Sequence, residues 1–337
     1  MRFSRLACLL VTVCAAAFVM GCGWRADEAS HSSAVSQTSS GSVALAVKEI
    51  DSPAGPDSRE PDLFSTHDGR TILSWVEKTS SSRYALRFAV SDGAGWSEPR
   101  TVAEGDNWFI NWADFPSVVA LQNGSLAAHW LVRSGQGTYA YDVNIALSQD
   151  GGKTWGKPVV PHTDGTQTEH GFVSLIPQRD AQLGAVWVDG RNLKDLKGEE
   201  DHGPLNASMT LRYATIDSQS GLSDEALLDE RICECCQTSA ALTSDGAIVV
   251  YRDRSDREVR DIYFVRRQEG VWSPPQPVHA DGWEISACPV NGPSVSADGR
   301  RVSVAWYTEA GAEPRVQIAF STDAGASFGT PIRVDDG

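Results

Sequence analysis

The chain has 337 residues, room for one large domain or two medium ones, and a hydrophobic share of 41%, ordinary for a globular protein. Its 29 basic residues face 44 acidic ones, for a net charge of -15. That balance excludes a nucleic-acid partner, which needs clustered Lys and Arg, but leaves room for an anionic small ligand held by a local group of arginines.

The start of the chain reads as an export signal. Arg2 and Arg5 precede an apolar run from Leu9 to Met20, too short for a stable spanning helix. The run ends in Val19-Met20-Gly21-Cys22, which resembles the bacterial lipobox. The resemblance implies that residues 1–21 are a signal peptide, removed before Cys22, and that Cys22 is acylated. The chain would then be exported to the cell envelope and lipid-anchored to a membrane, on the periplasmic side or at the cell surface. Residues 22–42, rich in Ser, Ala and Gly, carry too little apolar matter to fold and read as a flexible tether. Residues 43–337 read as one β domain, beginning with a lone strand at 43–47.

Within that domain a unit recurs five times. Each copy opens with a short apolar strand and a tight turn, and a second strand follows that usually ends in Trp. A third strand leads through a polar turn to a fourth. The first copy runs from Pro61 through Asp68-Gly69 and Trp75 to Val102, and the second from Pro116 through Asn123-Gly124 and Trp130 to Val159. The third opens near Phe172 and passes Trp187 and Tyr213. The fourth opens at Thr238 and passes Asp245-Gly246, Tyr251 and Trp272. The fifth runs from Pro293 through Asp298-Gly299 and Trp306 to Val334. The period is near 55 residues, with four alternating strands per copy, which suits the blades of a β-propeller. The fold expected is all-β: five four-stranded blades are visible, as in a five-bladed ring with an extra strand or, the reading favoured, a six-bladed fold lacking its last blade.

Two turns are more specific. Ser148-Gln149-Asp150-Gly151-Gly152-Lys153-Thr154-Trp155 and Ser321-Thr322-Asp323-Ala324-Gly325-Ala326-Ser327-Phe328 both match the Asp-box pattern, and a decayed copy lies at Ser91 to Trp96. Their role is structural: the Asp accepts backbone N–H bonds in the turn, a Gly supplies an unusual backbone angle, and the aromatic packs beneath. On these motifs the chain resembles the sialidase superfamily over about 58–334, among bacterial sialidase-like or BNR-repeat proteins.

That resemblance implies an axial active site in which three Arg hold a carboxylate, a Tyr paired with Glu is the nucleophile, and an Asp is the acid/base. The family's first Arg corresponds to Arg59, in Arg59-Glu60-Pro61. The other candidate binding residues are Arg191, Arg252, Arg254 and Arg260. Candidate catalytic residues are Tyr307 with Glu309, Asp114 and Asp253; Glu169 and His170 fall at the same end of a blade. The alternative for each Arg–Asp pair is mutual satisfaction between blades.

Four cysteines lie beyond Cys22: Cys233, Cys235, Cys236 and Cys288. Cys235 and Cys288 occupy the same register in neighbouring copies, and export favours disulfides. Cys288 is expected to bond Cys235 or Cys236, with Cys233 bonding the remaining thiol. The alternative is a soft metal ion; otherwise neither metal nor cofactor is expected. Phosphate-loop, dinucleotide and His-Glu-x-x-His motifs are missing from the sequence.

Three functions stay open. The first is an exo-acting, sialidase-type glycoside hydrolase. The second is a non-catalytic propeller that binds glycan, small-molecule or protein partners. The third is metal binding through the cysteines. The chain is expected to be a monomer.

Overall fold

A computed structural model describes residues 49–178, 181–194 and 208–336. The signal peptide, Cys22, the tether and the strand expected at 43–47 lie outside the described residues.

Apolar residues alternate along short segments broken by Gly-containing turns, so strands form rather than helices. Five antiparallel sheets result. The first joins β1 (Ser58–Ser65), β2 (Thr71–Lys78), β3 (Tyr84–Ser91) and β4 (Arg100–Gly105) in sequence order. The second joins β5 (Ser117–Ala120), β6 (Leu126–Arg133) and β7 (Tyr141–Ser148). The third contains β8 (His170–Pro177), β9 (Leu183–Asp189), β10 (Thr210–Ile216) and β11 (Leu222–Asp229). The fourth has β12 (Ser239–Thr243), β13 (Gly246–Arg252) and β14 (Ile262–Gln268), edged by the two-residue strands β15 (Val271–Trp272) and β16 (Gln276–Pro277). The fifth has β17 (Ser294–Asp298), β18 (Arg301–Thr308), β19 (Arg315–Ser321) and β20 (Ile332–Arg333).

The outer strands depart from the expected pattern. In the second copy, the Trp155–Val159 stretch forms no strand, only a bridge between Ile145 and Val159 and a bond from Gly156 N–H to the Leu147 carbonyl, and the fourth and fifth sheets end in two-residue strands. These segments contain Pro158, Pro274, Pro275 and Pro331, and proline supplies no N–H to a ladder.

The core lies between sheets. One buried cluster joins the first and second sheets (Phe88, Trp130), and another the second and third (Tyr141, Trp187). Two more join the third to the fourth (Val186, Tyr251) and the fourth to the fifth (Phe264, Trp306). The sheets therefore stack face to face in chain order. Their first strands also pack in that order: β1 beside β5, β5 beside β8, β8 beside β12, and β12 beside β17. The arrangement is propeller-like, with the five first strands lining an axial cavity of about 1870 Å³. Among the described residues no such cluster joins the fifth sheet to the first.

Both Asp boxes close as expected. The Asp150 carboxylate accepts the N–H groups of Lys153 and Thr154 at 3.0 and 2.9 Å, and Gly152 N–H donates to Ser148 Oγ at 2.8 Å. Asp323 accepts Ser327 N–H at 3.0 Å, and Gly325 N–H donates to Ser321 Oγ at 2.9 Å. Trp155 meets Phe88, and Phe328 meets Phe264, both edge to face.

Candidate active site at the axial mouth

Where the inner strands begin, two of them carry bulges. In β1 the register slips between Arg59 and Asp62, and in β8 between Gly171 and Ser174. Glu60 and Phe172, within those bulges, have φ of 54° and 50°. A bulge re-aims a side chain beside a site. Here Glu60 is buried, close enough to Asp114 for their charges to interact.

Asp114 lies just before β5, Tyr141 opens β7, and Glu169 precedes β8. The Tyr141 hydroxyl lies 2.8 Å from Asp114 Oδ2 and 2.7 Å from Glu169 Oε1. The other Asp114 oxygen accepts the Phe172 N–H at 2.8 Å. Gly171 allows this approach, because a Cβ there would fall 1.9 Å from Asp114 Oδ2. The Phe109 ring stacks on the Tyr141 ring, with centroids 3.9 Å apart.

One phenolic hydrogen cannot serve two carboxylates. If Tyr141 donates to Glu169, Asp114 must be a neutral acid donating to the phenol oxygen. Burial pushes Asp114 up to about 7, although hydrogen bonds from Tyr141 and Phe172 oppose the rise. Burial also lifts Glu60 to about 8, against Arg59 and helped by Asp114. Tyr141 is pushed well above its ordinary value by burial and by the two carboxyls. The cluster thus holds protons near neutrality beside a carboxyl–phenol pair. Phe115, Asp62 and Val173, each within two residues of a cluster member or of Phe172, line the axial cavity.

The remaining expected site residues fall elsewhere. Arg59 is exposed at the start of β1. Arg252 is fully buried: its guanidinium donates to the carbonyls of Asn291, Arg260 and Tyr307 at 2.9, 2.6 and 2.9 Å and lies over the Trp283 ring. Arg254 and Arg260 share the carboxylates of Glu234 and Glu258. Arg191 chelates Asp189 at 2.7 and 2.8 Å. Of the five arginines expected to hold substrate, four thus have donors engaged by protein groups.

Tyr307 donates to Glu309 and packs edge to face on Trp283. Asp253 sits by a separate polar cleft with Asp229 and Arg231. There burial, helped by Asp229, raises it to about 7.

The cysteines pair as Cys233–Cys236 and Cys235–Cys288, with Cα separations of 5.7 and 6.2 Å. Both separations lie within disulfide reach. Cys235–Cys288 joins the segments leading into β12 and β17, the inner strands of the fourth and fifth sheets.

Sequence reasoning named Asp114 and noticed Glu169, but missed Tyr141. A Tyr opening an apolar strand looks like core, and only the parallel bridge between Tyr141 and Glu169 shows the two strand starts meeting. The sequence shows Glu60 only as the residue between Arg59 and Pro61; its left-handed backbone turns it inward.

No family model matches the chain, and no curated protein does. Among solved structures, a protein of unknown function from Dyadobacter fermentans is similar, with TM-score 0.55, 12% identity and 82% of each chain covered. A Hadza microbial sialidase matches at TM-score 0.48 and 15% identity over 83% of this chain, which spans 59% of that protein. An α-L-arabinofuranosidase from Fusarium graminearum, in complex with an iminosugar inhibitor, matches at TM-score 0.49 and 12% identity, over 78% of this chain and 76% of that one. At such identities the likeness is one of fold alone.

Proposed function

We propose that this protein cleaves glycosidic bonds at the axial mouth by acid–base chemistry, with Asp114 as the general acid and the Glu169–Tyr141 pair as the opposing base and nucleophile. One observation carries the reading: a phenol held at 2.8 and 2.7 Å by two carboxyls, one of them raised by burial to about 7. The sialidase resemblance calls for the same three residue types. It supports sialosides less well, because four of the expected carboxylate-binding arginines have donors engaged by protein groups.

A panel of fluorogenic glycosides, including a sialoside and an arabinofuranoside, tests this. Wild-type turnover that falls about 10²–10⁴-fold in Asp114→Asn supports it. No turnover across the panel, or turnover unchanged in Asp114→Asn, sinks it.

A second reading is non-catalytic binding of glycan at the cavity. It is favoured by the complete burial of Tyr141 beneath Phe109. Binding on a glycan array without hydrolysis would select it. We also propose export and acyl anchoring through Cys22, supported by the lipobox-like sequence. Radiolabelled palmitate should label the wild type and not Cys22→Ser. The six-bladed type of propeller, with five sheets present, is likewise our reading. It is supported by the exposed Phe320, Ile332 and Val334 on the fifth sheet.

A further inference from the structure

An apolar side chain at the axial mouth belongs neither to the carboxyl–phenol cluster nor to the core. Asn111-Trp112-Ala113-Asp114 makes a tight turn just before β5. In it Asn111 Oδ1 accepts the Ala113 N–H at 2.9 Å, and the Asn111 carbonyl accepts the Asp114 N–H at 3.2 Å. Ala113 and Asp114 are buried, whereas Trp112 is 74% exposed. Among the described residues it is the only exposed tryptophan.

The turn is held from below by three other sheets. Gln237 Nε2 donates to the Ala113 carbonyl at 2.6 Å, and Gln237 Oε1 accepts the Gly292 N–H at 3.3 Å. Gln237 leads into β12 and Gly292 into β17, and both line the axial cavity. Asp114 accepts the Phe172 N–H of β8. The turn thus stands where the starts of β5, β8, β12 and β17 meet. An indole on so fixed a backbone has only two χ angles left to order when a ligand covers it.

The surroundings of Trp112 select its ligand. Asn111 is half-buried and Ala113 buried, so the indole is a lone apolar plate and not part of a patch large enough to dock a protein. Carboxyls lie at the same strand starts, with Asp114 two residues away and Glu169 joined to it through Tyr141. A flat apolar surface beside oxygen acceptors suits a sugar ring, which offers C–H groups on its face and hydroxyls on its rim. The net charge of -15 disfavours a nucleic-acid base as the stacking partner.

We propose that Trp112 is the stacking platform of a sugar-binding subsite beside Asp114, and that it takes a pyranose ring of a glycan chain. The inference rests on the reading that glycan comes to this mouth, and not on whether it is cleaved there.

The test places the full folded chain, as wild type and as Asp114→Asn to suppress turnover, on an array of immobilised oligosaccharides. The strongest binder is then titrated calorimetrically. Trp112→Ala should weaken binding by about 10-fold or more, and Trp112→Phe should restore most of the loss. Both variants should melt with the wild type, because the side chain they alter stands in solvent. The bound glycan should also shield wild-type fluorescence from acrylamide, and this protection should vanish in Trp112→Phe. Glycan binding that depends on Trp112 without turnover upholds the platform and removes the glycosidase reading. Turnover that responds to Asp114→Asn, with binding indifferent to Trp112→Ala, overturns the platform and leaves the glycosidase reading standing. Folded wild-type protein that binds no glycan on the array overturns the platform as well.

Discussion

Asp114 and Glu60 are carboxyls that burial keeps protonated where water would ionise them. Their folded values, about 7 and about 8, lie above ordinary values of 3.8 and 4.5. Between those limits the native state holds protons that the unfolded chain releases, so stability falls as pH rises and levels off above about 8. His129 acts at the other end. Burial holds it down to about 3 from 6.5, so the unfolded chain takes up a proton there and stability falls below about pH 6.5. Two raised carboxyls outweigh one imidazole over most of this range, so melting temperature should decline from about pH 5 to about pH 8. Asp114→Asn should flatten this decline, and an unchanged slope in that variant would show that Asp114 is ionised. Tyr141→Phe removes the phenol oxygen and hydrogen that join Asp114 to Glu169 and leaves the two carboxyls facing each other. It should lower stability by about 1–3 kcal/mol and, if the phenol is the nucleophile, abolish turnover of every substrate the wild type cleaves. Turnover retained in Tyr141→Phe would reassign the nucleophile to Glu169.

At the scale of single elements, the Asp boxes show how a turn attaches one sheet to the next. Gly152, with φ of 82°, faces Phe88 of the preceding sheet, and Gly325, with φ of 79°, faces Ile248 of its preceding sheet. A Cβ on Gly152 would lie 2.4 Å from Phe88 Cζ, while a Cβ on Gly124, with the same φ of 82°, would meet nothing within 4 Å. Gly124→Ala should therefore cost about 1–2 kcal/mol through backbone strain alone. Gly152→Ala should cost about 1–3 kcal/mol more through overpacking. Equal losses in chemical denaturation would mean that the box does not anchor the seam.

The strands were readable because alternation, Trp positions and turn glycines are local signals. The bulges at Glu60 and Phe172 were not, since a left-handed non-glycine residue is imposed by the packing around it. Arg252, Arg254 and Arg260 mark the same limit. Their spacing looks like a clamp, but a sequence does not reveal whether a guanidinium meets solvent or three carbonyls. His162 and His170 lie on opposite sides of a loop, and nothing local announces that their rings stack.

At the scale of the whole molecule, four interfaces among the described residues hold five sheets in order, and the last has a covalent brace. Cys235–Cys288 closes a segment of 53 residues across the fourth and fifth sheets. In the chain-entropy account, such a loop stabilises the fold by about 4 kcal/mol, since the bond restricts the unfolded chain. Cys233–Cys236 spans only three positions and so contributes less by the same logarithm. It tightens the turn from which Glu234 reaches Arg254 and Arg260. Reduction should thus loosen the fifth sheet before the first three, because among the described residues that sheet's packing cluster joins it to the fourth alone. Hydrogen exchange with and without reductant would read this. Faster exchange confined to β17, β18 and β19 is the expected result. Uniform acceleration through all five sheets would mean that the stack unfolds as one cooperative unit, with the disulfide setting its global stability rather than fastening its last member.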